Sequence, residues 1–226
     1  MEKRLEGKRV LVTQAADYMG PATVELFREH GASVIADETV LRTPESVDEL
    51  VQDAGEIDVL VANLAANANF GISATDVSEE IWAEAFDVMV HPLYRLLRAV
   101  LPKMYERGAG KVVVVGSATG VKGMAGVSAY SAARSAQVGY VRAVGLEAAS
   151  HNVQINLIAQ NWVENPAYFP PAFTETPAFK GLLDQQVPLG RLAASRESAL
   201  LALFLASSES DFFVGQAIPF SGGWAQ

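Results

Sequence analysis

Three residues of this sequence are spaced to handle a proton on an oxygen atom. Ser117 follows a run of valines, and Tyr130 and Arg134 come thirteen and seventeen positions after it. On a helix, positions 130 and 134 share one face, about one turn apart. A buried guanidinium beside a phenol favours the phenolate and lowers its pKa from the ordinary value of about 10. A serine hydroxyl nearby can hold a substrate oxygen against that phenol. The set suits proton transfer to or from an alcohol or alkoxide oxygen. Spacing alone is met as well by a plainer arrangement, in which Tyr130 and Arg134 are a stacked helix pair and Ser117 ends a strand.

Positioning such a set requires a sheet with helices on it. Apolar runs at 10–12, 32–36, 57–63, 111–116, 153–158 and 217–220 predict strands. Helical patterns at 20–30, 44–54, 78–107 with a break at His91 and Pro92, 127–150 and 197–207 lie between or after them. Ser78 is the predicted N-cap of the third helical stretch, with Glu79 and Glu80 suiting the helix dipole. The strands are continuous apolar runs, as in strands buried on both faces of a parallel sheet. The alternation predicts an α/β fold: a Rossmann-like, doubly wound parallel sheet in three α/β/α layers, forming one domain over 1–226. Residues 160–187 read as irregular, rich in aromatics and prolines, and too long for a connector. They are expected to form a lid or pocket wall. Pockets in such sheets lie beyond the carboxyl ends of the strands, which gathers Gln14, Asn63, Ser117 and Gln160 around one crevice.

The turn after the first strand is unusual for a nucleotide-binding unit. It reads Thr13, Gln14, Ala15, Ala16, Asp17, Tyr18, Met19, Gly20. Glycines at this place let backbone approach a pyrophosphate. Here Gln14 and Tyr18 carry side chains into that space. Asp37, at the end of the second strand, stands where a dinucleotide ribose would be gripped. It is read as a solvated loop acid, Asn63 as a backbone holder and Asp58 as a turn cap.

Composition narrows the partners. The 226 residues carry a net charge of −9, and half are apolar. That balance, with no basic cluster, speaks against nucleic-acid or anionic-membrane partners. Cysteine is absent, which removes disulfides and thiolate chemistry. The charged start lacks the apolar stretch of a signal peptide, and no run is long enough to span a bilayer, so a cytoplasmic location is expected. His30, His91 and His151 are far apart and read as surface or packing residues; no metal is expected.

Several pieces together resemble the short-chain dehydrogenase/reductase superfamily over the whole chain. They are the segment Asp58, Val59, Leu60, Val61, Ala62, Asn63; Ser117 after its valines; Tyr130 four before a basic residue; Asn156 in the fifth strand; and the terminal Phe220, Ser221, Gly222, Gly223, Trp224. Three places depart from it. Arg134 stands for the usual lysine, only Gly20 of three turn glycines remains, and Gln160, Asn161, Trp162 replace Pro-Gly after the fifth strand. This combination is similar to the halohydrin dehalogenases, and Asn161, Trp162, Tyr168 and Phe169 look most like their branch with a short C-terminus. The resemblance implies chemistry without a cofactor. Tyr130 would deprotonate a vicinal haloalcohol, Ser117 would bind that oxygen, and Arg134 would keep the phenol acidic. The alkoxide would displace the halide and form an epoxide. In reverse, azide, cyanide or nitrite would open one.

The halide needs a site where nicotinamide would lie. Candidates are Tyr18, Gln160, Asn161, Trp162, Val163 and Phe169, and the resemblance implies that the backbone N–H groups of Trp162 and Val163 would face the ion. Thr119 and Met124 would line the substrate side. Ordinary lid packing explains Trp162, Tyr168 and Phe169 as readily. The resemblance also implies a homotetramer, and the small residues Gly139 and Gly145 let the long helix serve as interface as well as core. Two other functions remain open from the residues: an NAD(P)-dependent oxidoreductase with a displaced loop, and an inactive scaffold relative.

Overall fold

The valines at 112–115 feed two apolar layers in turn. Val112 and Val114 pack with one cluster, and Val113 and Val115 with the other. The same alternation holds for Leu60 and Ala62 against Val59 and Val61. A strand with both faces covered has no polar side to show, which explains the unbroken apolar runs. In the computed structural model, which describes residues 3–226, six strands form one parallel sheet. They are β1 (Arg9–Val12), β2 (Ser33–Ala36), β3 (Val59–Asn63), β4 (Gly110–Ser117), β5 (Val153–Gln160) and β6 (Ala217–Phe220), in the order β2-β1-β3-β4-β5-β6. Met1 and Glu2, at the charged start, lie outside the described residues.

Helices cover both faces. On one side α2 (Pro44–Ala54), α4 (His91–Arg107) and α6 (Ser128–Ala149) bury Val47, Leu96 and Val141. On the other, α1 (Gly20–Glu29) and α9 (Ser195–Ala206) bury Phe27 and Leu203. The result is the three-layer, Rossmann-like α/β/α arrangement. The strand order reverses between β1 and β3, and ligand crevices open at such a reversal. The break at His91 is real: α3 (Glu79–Met89) ends at Val90 and α4 restarts with Pro92 in its first turn, a position proline tolerates.

Two expectations are corrected. The segment 160–187 is not irregular throughout, for it holds α7 (Pro171–Thr174) and α8 (Pro177–Gln186). Its prolines start helices instead of breaking them, and the Thr176 hydroxyl caps α8 by accepting from the Phe179 N–H. A short α5 (Thr119–Lys122) also follows β4 directly. Strand β5 runs to Gln160, two residues past its apolar run, so Gln160 pairs in register with Ser117. Gly145 of α6 packs within the chain: a Cβ there would sit 2.7 Å from the Gly215 Cα. Nothing lies within 4 Å of such an atom at Gly139.

Candidate active site

The carboxyl ends of β3, β4 and β5 open onto one cavity of about 470 Å³, and its lining is mostly apolar. Ser117, Tyr130 and Arg134 all reach it. So do Tyr18, Gln160, Asn161, Trp162, Val163 and Phe169, and so do Thr119 and Met124. Asn63 lines it too, whereas Gln14 lines a separate cavity of about 220 Å³ beside β2. The four-residue crevice expected from strand ends is thereby corrected by one member.

Arg134 is 2% exposed. Its Nη1 donates to the carbonyls of Leu64 at 2.9 Å and Val115 at 3.1 Å and to Gln137 Oε1 at 2.9 Å. Gln137 is held in turn by the Met89 carbonyl at 2.8 Å. The guanidinium lies 4.9 Å from the Tyr130 ring centre. Burial pulls the Arg134 pKa down, but the facing phenols of Tyr130 and Tyr168 outweigh it and hold the group charged. All three of these bonds come from Nη1, while Nε is buried without a partner.

Ser117 is 6% exposed, and its hydroxyl pairs with the Thr119 hydroxyl at 2.9 Å while accepting the Thr119 N–H at 3.2 Å. Thr119 therefore acts on the cavity as the partner that orients Ser117. Gln160 accepts from the buried Ser198 hydroxyl through Oε1 at 2.6 Å. Trp162 stands at φ 60°, a left-handed backbone, and its ring stacks on Phe169 at 5.8 Å. One detail is corrected here. The Trp162 N–H is taken by Asn161 Oδ1 at 2.9 Å, so it does not face the cavity free. The isolated bridge to Ala193 uses the Trp162 carbonyl and the Glu164 N–H, which leaves the Val163 N–H outside that pairing.

Sequence reasoning passed over Tyr168 as lid packing. Its hydroxyl donates to the Ala66 carbonyl at 2.7 Å and lies 3.3 Å from the Tyr130 hydroxyl. Its ring is 5.3 Å from that of Tyr18. Burial raises the Tyr168 phenol well above the ordinary value, with Tyr130 adding to it and Arg134 opposing. Tyr18 is raised as well, first by burial, then by Tyr130 and Asp17. No short-range pattern assigns Tyr168 a role; the Asn165 turn places it, with Oδ1 accepting the Tyr168 N–H at 2.9 Å.

The first turn is built from its own backbone. Gln14 and Tyr18 adopt left-handed φ of 44° and 50°. The N–H groups of Ala15, Asp17 and Gly20 bond to the carbonyls of Asp37, Gln14 and Asp17. Asn63 Nδ2 ties down the carbonyls of Gln14 and Asp17, as the backbone-holding role expects. The Gln14 amide makes two bonds to the Ala65 backbone, at 2.8 and 3.1 Å. A pyrophosphate needs free N–H groups and close backbone approach at this place. With three of the turn's N–H groups engaged, the Tyr18 side chain on the cavity, and Asp17, Glu38 and Asp87 lining the adjoining cavity, the residues present do not fit one. Asp37 is also corrected: it is 8% exposed, with Oδ1 held by Thr39 and Oδ2 buried without a partner. Asp58 accepts from the Arg9 N–H at 2.8 Å. Among the described residues no cluster of three or more metal-ligating side chains occurs, and no helix is long and apolar enough to cross a membrane.

A family model described as Enoyl-(Acyl carrier protein) reductase matches residues 5–225. This chain belongs to the short-chain dehydrogenase/reductase family. It is 31% identical to the 3-oxoacyl-(acyl-carrier-protein) reductase FabG of Vibrio cholerae, over 97% of this chain and 98% of that one. With Dehydrogenase/reductase SDR family member 4 of Oryctolagus cuniculus it shares 29% identity, over 96% of this chain and 84% of the relative. A solved structure described as a dehalogenation enzyme is 30% identical, with a TM-score of 0.91, covering 98% of this chain and 100% of that one.

Proposed function

We propose that this protein is a halohydrin dehalogenase that works without a cofactor. The observation that carries the reading is the filled first turn, with Gln14, Tyr18 and engaged N–H groups where a pyrophosphate would sit, next to a proton-handling set on an apolar cavity. The likeness to a dehalogenation enzyme over nearly the full length of both chains supports it. Arg134 fits the same reading, since its Nη1 is anchored on protein oxygens and its charge faces the phenols of Tyr130 and Tyr168.

The Tyr130 phenolate takes the proton of the substrate hydroxyl, and Ser117 holds that oxygen. The alkoxide oxygen then forms a bond to the neighbouring carbon as the carbon–halogen bond breaks, and the halide leaves with the bonding pair. The Val163 N–H and the rim of the Trp162 and Phe169 rings receive it, a soft site suited to a large, weakly hydrated anion. In the opposite direction azide, cyanide or nitrite attacks an epoxide, and Tyr130 returns the proton to the opening oxygen. The same reading carries a homotetramer; a monomer on size-exclusion chromatography at micromolar concentration would refute that part.

The test is a vicinal chloro- or bromoalcohol added with no nicotinamide, following halide and acid together. Release of both is expected. Tyr130→Phe should slow it by at least about 100-fold, the usual share of a general base, while leaving the fold intact. A second reading, reduction of a carbonyl with NAD(P)H, is favoured by the names of the curated relatives. Tight binding of reduced nicotinamide without halide release would establish it over ours.

A further inference from the structure

The Tyr168 hydroxyl has one proton and two claims on it. Its bond to the Ala66 carbonyl is directional, because a carbonyl only accepts. With the proton aimed there, the Tyr168 oxygen turns lone pairs toward the Tyr130 hydroxyl at 3.3 Å. That separation is long for an O–H···O bond, a contact able to tighten. While Tyr130 carries its proton, Tyr130 donates to Tyr168. When Tyr130 loses that proton, two oxygens with only lone pairs would face each other unless the Tyr168 proton turns from Ala66 to the phenolate.

We propose that Tyr168 is a positioning residue that switches one hydrogen bond between the Ala66 carbonyl and the Tyr130 phenolate as Tyr130 loses and regains its proton. The inference rests on the reading of Tyr130 as the proton acceptor. Tyr168 is suited to it because its own phenol stays protonated, raised by burial. The bond it offers a phenolate is charge-assisted and outweighs the neutral bond given up at Ala66. Other ionisable groups facing the pair are Arg134 from α6 and Tyr18 from the first turn, with Asp17 behind Tyr18. Placement comes from the lid. Asn165 donates to the Val163 carbonyl at 3.2 Å and accepts the Tyr168 N–H at 2.9 Å. One buried side chain thereby links the proton side of the cavity to the residue whose N–H faces the proposed halide.

The test uses protein labelled with 13Cζ-tyrosine, with the Tyr130 signal assigned from Tyr130→Phe. In Tyr168→Phe the ring is kept and the switch is lost, so Tyr130 should titrate about half to one pH unit higher than in the parent. Halide release should shift to higher pH in the same sense. If Tyr168→Phe does not fold, 3-fluorotyrosine at position 168 keeps ring and hydroxyl and donates more strongly, so Tyr130 should titrate lower. A Tyr130 titration that stays in place, or moves the other way, overturns the switch and leaves Tyr168 as packing. Because the signal is read without substrate, a parent protein that releases no halide would defeat the dehalogenase reading and not this one.

Discussion

Replacing Arg134 by methionine removes the charge and the fork but keeps a stem of similar reach. The cost follows from the hydrogen count. Nη1 carries two hydrogens and faces three oxygens, on Leu64, Val115 and Gln137, within 3.1 Å, so it makes the equivalent of two full bonds. An acceptor left unpaired in the interior costs about 1–3 kcal/mol. Two of them give about 4 kcal/mol, in line with the loss from breaking a buried charge arrangement. A domain of this size has about 5–15 kcal/mol in hand, so the variant should still fold. Its melting temperature should fall by about 8–16 °C, at about 2–4 °C per kcal/mol. Urea unfolding at neutral pH should show a lower midpoint with unchanged slope. Arg134→Lys, which keeps a cation and donors, should lose less. A loss below about 1 kcal/mol for Arg134→Met would refute the reasoning, because water or repacking would then be satisfying those oxygens.

Gly20→Ala should destabilise by about 1–3 kcal/mol, although alanine is the better helix former. Its Cβ would meet the Gln14 carbonyl and sit 2.5 Å from the Ala15 carbonyl, both backbone; an unchanged urea midpoint would mean the turn gives way. Acid stability should show the mark of Glu197. Its carboxyl is pulled down to about 2, first by the Arg191 guanidinium and then by the Ala194 N–H. The folded value lies below the ordinary 4.5, so its contribution is present above the unfolded value and is lost as pH falls toward the folded one. The gap in urea midpoint between the parent and Glu197→Gln, read in low salt, should therefore be open at neutral pH and close on acidification to about 2. A gap equally wide at both ends would refute the assignment.

Much of this architecture was legible because the sequence patterns are local. Continuous apolar runs named a buried parallel sheet, and the spacing of Tyr130 and Arg134 named a shared helix face. Both come directly from the geometry of one element. Tyr168 was missed because its role depends on contacts across the chain, to Ala66 and Tyr130. The Trp162 N–H was misplaced for a subtler reason. Asn161 beside it folds its side chain back onto that donor, a choice between a neighbour and a ligand that spacing does not express. Asp37 was read as a solvated loop acid, yet burial there is set by the turn, whose Ala15 N–H bonds to the Asp37 carbonyl.

Three consecutive residues past β3 tie the first turn, Arg134 and the lid together. The Leu64 carbonyl receives Arg134, the Ala65 backbone receives the Gln14 amide twice, and the Ala66 carbonyl receives Tyr168. A backbone segment in this position must have its polar groups satisfied. Here they are met by side chains from three places: Arg134 on α6, Gln14 in the first turn and Tyr168 from the lid. Changing any one alone would orphan a buried group at a cost of about 1–3 kcal/mol, and all three side chains are anchored on one short stretch of backbone. The filled turn is therefore part of the same construction that holds Arg134 under Tyr130 and Tyr168 over it. Replacing Gln14 by glycine would loosen the backbone beside the proton site.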